Sequence, residues 1–136
     1  MIKISKSVEY SILALKYIAD NENFASLSSR KISDDLNIPY DLLSKLLQKL
    51  VRKGIVQSQQ GKYGGYNLLV DSNKLSLLNI IDALDENIQL ANCTFDGANN
   101  EDCARINNCY IRSPFLNLQN KINKMFNEIT LNELTN

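Results

Sequence analysis

Residues 28–54, SSRKISDDLNIPYDLLSKLLQKLVRKG, constrain the fold more than any other stretch of the chain. Ser28 suits the N-cap of a short helix, because its hydroxyl can accept from a first-turn N–H that has no helical partner. Asn37 is one of the few residue types that tolerate a left-handed backbone, so the chain can turn sharply there. Pro39 suits the first turn of a new helix, since its φ is already helical and no N–H is lost. In that new helix Leu42, Leu43, Leu46, Leu47 and Leu50 cluster on one side, while Asp41, Ser44, Lys45, Gln48 and Arg52 gather opposite. A short helix, a tight turn and a long two-faced helix make the pattern of a helix-turn-helix, whose second helix enters the major groove. The same residues also describe an amphipathic helix pair with a solvated polar face, a common unit of all-helical proteins.

The flanks narrow the choice. Residues 5–20 place Val8, Ile12, Leu15 and Ala19 on one helical stripe, widened by Leu13 and Ile18, which predicts a first helix followed by a loop at 21–27. After residue 54, GIVQSQQGKYGGYNLLV predicts two short strands, 55–59 and 66–70, around a glycine-rich loop with Lys62 and Tyr63 at its tip. This is a β-hairpin wing, in which Gly61, Gly64 and Gly65 let the backbone approach a phosphate chain and Lys62 supplies charge. A nucleotide-phosphate loop is the rival, but the Gly-Lys-Ser/Thr ending and the following helix are missing.

With 136 residues, 44% hydrophobic and 22% charged, the chain suffices for one ordinary core, completed by a partner. Its formal net charge of zero conceals a division: residues 1–66 carry 10 Lys and Arg against 6 Asp and Glu, and residues 67–136 carry 5 against 9. A basic first half is what a nucleic-acid contact needs, although a solvated surface has the same composition. Lys6, Glu9 and Lys16 break the apolar run at the start, so neither a signal peptide nor a membrane span is expected and the chain is placed in the cytoplasm.

Thiols stay reduced in that compartment, which bears on Cys93, Cys103 and Cys109, separated by nine and then five residues. Three is an odd number for disulfides and one short of a four-coordinate metal site, and the chain has no histidine to complete the set. Gly97 and the pairs Asn99-Asn100 and Asn107-Asn108 predict a loop in which the cysteines can converge, with Arg105 and Arg112 near enough to favour thiolates. A cysteine nucleophile lacks its base, so an enzyme is not expected. Downstream, Ser113-Pro114 starts a helix with the stripe Phe115, Leu118, Ile122, Met125, Phe126 and Ile129, and residues 130–133 form a capping box for a last short helix. The stripe serves either a dimer interface or the chain's own core.

The order of first helix, IPYDLLSKLLQKLVRKGIV, GKYGGYNLL, LLNIIDALDENI and three cysteines resembles the IscR, NsrR and CymR type of bacterial winged-helix regulators, the Rrf-two type, over essentially the whole chain. That resemblance implies a mainly α fold with a small β-hairpin, a winged helix-turn-helix with a long C-terminal dimerisation helix. Residues 1–72 would form the DNA-binding region and residues 73–136 the cluster-binding loop and dimerisation helices, in one compact domain. It implies a homodimer on an approximately palindromic DNA operator, with the helix at residues 39–53 in the major groove and the wing against the minor groove or backbone. By residue type the DNA-contacting set is Ser28, Ser29, Tyr40, Asp41, Ser44, Lys45, Gln48 and Lys49, with Lys62, Tyr63, Gly64 and Gly65 of the wing. The resemblance further implies an iron-sulfur cluster, 2Fe-2S first and 4Fe-4S as the alternative, on Cys93, Cys103 and Cys109. Its remaining ligand would be Glu9 of the partner subunit, with Asp96, Glu101, Asp102 and solvent as other candidates, and its state would switch operator affinity in response to redox, nitric oxide or iron-sulfur status. The first cysteine gap, nine residues, is longer than the family's commoner five to seven. A same-fold regulator that senses thiol oxidation or a metabolite without a cluster is the alternative.

Overall fold

The computed structural model describes residues 2–22, 27–61 and 64–136. It opens with α1 (Lys6–Asp20), whose N-cap Ser5 accepts from the Val8 N–H at 3.2 Å. Next, α2 (Ser29–Leu36) begins at Ser28, whose hydroxyl accepts from the Lys31 N–H at 3.1 Å, and ends at Asn37, left-handed at φ 55° and ψ 44°. Two bonds close the turn that follows: the Ile38 N–H donates to the Ser33 carbonyl at 3.0 Å, and the buried Ser33 hydroxyl donates to the Ile38 carbonyl. Then α3 (Tyr40–Arg52) starts directly after Pro39, one place later than expected. It buries Leu43, Leu46, Leu47 and Leu50 and leaves Asp41, Lys45, Gln48 and Arg52 exposed, so the two faces read from the sequence are the two faces observed.

A polar corner joins α1 to α2. The Tyr17 hydroxyl donates to the Asp35 carboxylate, and Lys31 Nζ reaches the same oxygen at 3.1 Å. These donors, Tyr17 foremost, hold the Asp35 carboxyl below its ordinary value. A depressed carboxylate stabilises the fold at neutral pH and loses that contribution as acidification passes through the carboxylate range.

Past α3, Gly54 at φ 75° lets the chain reverse into β1 (Val56–Gln59), which pairs antiparallel with β2 (Gly65–Leu68). Val56 lies opposite Leu68 at the base of the hairpin, and Gln59 opposite Gly65 towards the tip; Val56 is buried, which roots the wing in the core. Lys62 and Tyr63 lie outside the described residues. Gly65 sits at φ 152°, and a Cβ there would come within 2.8 Å of the Leu27 nitrogen and 3.0 Å of its carbonyl oxygen. Only a residue without a side chain lets the wing lie this close to the chain entering α2.

The remainder is α4 (Leu77–Ala83), α5 (Arg112–Glu128) and α6 (Leu131–Thr135). Ser76 and Asn79 form a reciprocal capping box on α4, and Thr130 caps α6 by accepting from the Glu133 N–H at 3.3 Å. Leu77 N–H donates to the Ile129 carbonyl at 2.8 Å and Leu131 N–H to the Leu75 carbonyl at 2.7 Å, so the two caps are stitched together and Leu131 enters the core. Helices α3, α4 and α6 all pack on α1, whose buried face is Val8, Ser11, Ala14, Leu15 and Ile18. This face is turned from the expected stripe: Ile12 and Ala19 are half-buried, and Leu13 is 47% exposed. Small Ser11 and Ala14 are fully buried, where larger side chains would overpack the surroundings. On α5 the expected stripe is only partly covered, with Phe126 against the core and Leu118 and Met125 about half exposed. No described helix is long and apolar enough to cross a membrane.

Replacing Gly65 by alanine is expected to cost about 1–3 kcal/mol, because the φ is strained and Leu27 must move; thermal and denaturant unfolding will measure it, and an unchanged stability would mean that the wing does not seat against residue 27.

Candidate nucleic-acid interface and cysteine loop

Three elements converge on one surface. The N-terminus of α2 presents Ser28, exposed, and Ser29, half-buried; α3 presents Tyr40, Asp41, Ser44, Lys45, Gln48 and Arg52; and a cleft of about 300 Å³ separates Ser28 and Ser29 from the wing residues 58–61 and 64–66. Ser28 and Ser29, at the positive end of the α2 dipole, line this cleft, so it is suited to an anionic backbone. Gly64 closes the wing, since a Cβ there would lie 2.2 Å from the Gln59 carbonyl oxygen. The pocket-side position of Gly64 and Gly65 therefore follows from hairpin closure and the Leu27 contact.

Tyr40 is the hinge of this surface. Hydrogen bonds with Ser29 and Ser44, followed by the charge of Arg30, hold its phenol below the ordinary value. Arg30 stacks on the ring with its guanidinium carbon 3.9 Å from the centroid, which fixes a cation beside the first turn of α3. Arg30 was not singled out from the sequence, because its partner is ten residues away across a turn and no local pattern links the two. Lys49, by contrast, points elsewhere than Lys45: it is half-buried and its Nζ donates to the Leu84 carbonyl beyond α4 at 3.3 Å. Lys53 likewise pairs with Asp85 at 3.6 Å.

The three cysteines occupy a run of turns between α4 and α5. Cys93 is 8% exposed, Cys103 and Cys109 are half-buried, and all three are free thiols. Among the described residues no three His, Cys, Asp or Glu side chains form a group that could hold a metal. The turns between the cysteines satisfy their own backbone. Thr94 closes on Ala91, Asn99 accepts from the N–H groups of Asp102 and Cys103, and Ile106 N–H donates to the Cys103 carbonyl. Arg112 spends its Nη1 on the Ile106 carbonyl at 3.4 Å. Glu9 lies in the first turn of α1, 45% exposed and paired with Lys6 at 2.9 Å. Three soft thiols match an iron-sulfur group as donors.

Comparison with known proteins agrees with this geometry. Residues 4–136 match the family model described as Rrf2, iron-dependent transcriptional regulator. A Haemophilus influenzae protein assigned to the HTH-type transcriptional regulators is 33% identical over 135 residues, covering 99% of this chain and 87% of its own. The HTH-type transcriptional regulator IscR of Vibrio vulnificus is 29% identical over 133 residues, covering 98% and 77%. Among solved structures, CymR, the global cysteine regulator of B. subtilis, superposes with a TM-score of 0.70 at 20% identity, covering 98% of this chain and 96% of its own.

Burial sets an order of thiol reactivity: N-ethylmaleimide should label Cys103 and Cys109 at least about tenfold faster than Cys93 under native conditions, and mass spectrometry of the labelled peptides will test it; equal rates would mean that Cys93 is open in solution.

Proposed function

Because this chain belongs to the Rrf2 family of transcriptional regulators, we propose that it acts as a homodimer binding an operator through α3 and the wing, with the three-cysteine loop setting its affinity. The observation that carries the DNA reading is the exposed polar face of α3, with Lys45, Gln48 and Arg52, on a helix whose first turn is tied to the start of α2 by Arg30 over the Tyr40 ring. Lys45 and Arg52 meet phosphates or guanine edges, Tyr40 and Ser44 hydrogen-bond to either, and Ser28 and Ser29 bring a phosphate to the α2 N-terminus. Asp41 and Gln48 line the same face, Lys62 and Tyr63 follow from the sequence as further contacts between the two strands of the wing, and Lys49 is turned to the α4 side.

Dimerisation is supported by apolar surface left uncovered in one chain. An apolar groove of about 710 Å³ runs between Ile2, residues 87–90, Leu118 and Ile122, with Leu118 and Met125 each about half exposed. Exposed stripes of this kind seek a second copy, and two-fold symmetry suits a palindromic site. The finer reading of the loop is an iron-sulfur cluster, 2Fe-2S or 4Fe-4S, with Cys93, Cys103 and Cys109 as ligands and Glu9 of the partner subunit as the fourth. Donor type and the family's description as iron-dependent support it, and it requires the loop to close around the group. A second reading, the same fold sensing thiol oxidation without a cluster, is supported by three free thiols of which two are only half-buried. Either role is that of a cytoplasmic regulator rather than an enzyme.

With about six to ten phosphates neutralised per dimer, affinity should fall ~10³-fold or more between about 50 and 200 mM salt. Lys45→Ala and Lys62→Ala should each weaken binding and lower the salt slope by about one, without loss of folded structure; unchanged affinity in both would remove this surface as the DNA site. Anaerobically reconstituted protein should show visible absorption with matching iron and sulfide, and Glu9→Ala should make the chromophore more labile. A colourless, iron-poor preparation would leave the thiol-oxidation reading.

A further inference from the structure

Gln119 is the one buried residue of α5, 4% exposed, and its side chain is occupied with the backbone of a neighbouring segment. Its Oε1 accepts from the Leu90 N–H at 2.8 Å, and its Nε2 donates to the Ile88 carbonyl at 2.6 Å and to Asn123 Oδ1 at 3.0 Å. The amide thus satisfies the two backbone groups flanking Gln89 as an adjoining β-strand would. An inward helix position ordinarily takes an aliphatic side chain, so the choice of an amide is explained by the chain it holds.

That chain connects two sites. Three residues beyond Leu90 lies Cys93, in the turn where the Thr94 hydroxyl donates to the Ala91 carbonyl at 2.8 Å. In the other direction, Glu86 accepts from the hydroxyl of Ser5, the α1 N-cap, at 3.0 Å, and Leu84 is buried at 2% exposure. The Leu84 carbonyl accepts from Lys49 Nζ, in the last turn of α3, and Asp85, at φ 58°, pairs with Lys53 just past it. Residues 84–90 therefore form a strap from the last turn of α3 to the first cysteine. The Lys53–Asp85 pair is exposed and adds little; buried Leu84 and the Lys49 bond anchor that end, and Gln119 anchors the other.

We propose that Gln119 is the positioning residue that couples the cysteine loop to the recognition helix, by clasping residues 88–90 so that rearrangement at Cys93 is passed along the strap to α3. This deepens the regulatory reading above and rests on the cysteine loop being the sensor. With Gln119 in place, a change at Cys93 cannot be absorbed by local slack in residues 88–92 and moves the strap as a unit. Without it, the Leu90 N–H and Ile88 carbonyl lose their partners, the segment loosens, and the two sites become independent.

The test is hydrogen exchange, read by mass spectrometry, on the full chain as wild type and as Gln119→Leu, each untreated and after N-ethylmaleimide has been driven to completion at Cys93, as verified on its labelled peptide. In the wild type, alkylation is expected to raise exchange about threefold both in residues 84–90 and in the last turn of α3. In Gln119→Leu, exchange in residues 88–92 is raised about fivefold to tenfold before alkylation, exchange in α1 is unchanged, and alkylation no longer alters α3. Should Gln119→Leu not fold, Gln119→Glu carries the same comparison, since it keeps an acceptor for Leu90 but sets a carboxylate against the Ile88 carbonyl. An α3 that responds to alkylation equally in the variant and the wild type, or in neither, overturns the proposal. The readout uses neither DNA nor iron, so failure to bind an operator or a cluster would sink the functional reading and leave this result standing.

Discussion

The left-handed turn at Asn37 sets how α2 and α3, the two helices that carry most of the candidate DNA contacts, meet. Asn37 reverses the path at the end of α2, and the buried Ser33 hydroxyl, donating to the Ile38 carbonyl, locks the reversal from inside. With the turn held at both its backbone and a side chain, the N-terminus of α2 and the first turn of α3 come to the same surface. Tyr40 can then meet Ser29, Ser44 and Arg30 at once. A looser connection would leave two amphipathic helices whose polar faces need not coincide, which is the bland alternative the sequence alone allows.

Because α3 is fixed so firmly, it serves three neighbours. One face supplies Leu43, Leu46, Leu47 and Leu50 to the core; the opposite face carries Lys45, Gln48 and Arg52 to solvent; and its C-terminal edge gives Lys49 and Lys53 to residues 84 and 85. The basic excess of the first half of the chain is thus divided, with part of it directed outward and part used as donors to the α4 end. Charge counted along the sequence overstates what is free to meet a phosphate.

The cysteine segment follows a different logic. Its backbone is satisfied in short successive turns, from Ala91 and Thr94 to Cys103 and Ile106. Its entry is held differently, since Gln119 bonds the backbone at residues 88 and 90, while Cys103 and Cys109 lie half-buried in the turns beyond.

By itself the sequence determined the helix-turn-helix, the hairpin, the caps at Ser28 and Thr130 and the two faces of α3, because capping, left-handed turning and helical periodicity act over four to ten residues. It also located the cysteines in a loop and the basic half of the chain. On α1 it found Val8, Leu15 and Ile18 but missed buried Ser11 and Ala14 and placed Leu13, 47% exposed, on the covered side, since which side of a helix is covered depends on the neighbours it meets. Arg30 on Tyr40, Lys49 on Leu84 and Gln119 on residues 88–90 were decided only by tertiary structure. Each joins groups from ten to thirty-five residues apart, and a polar side chain chooses among many possible partners only when packing has brought one backbone group or ring within reach.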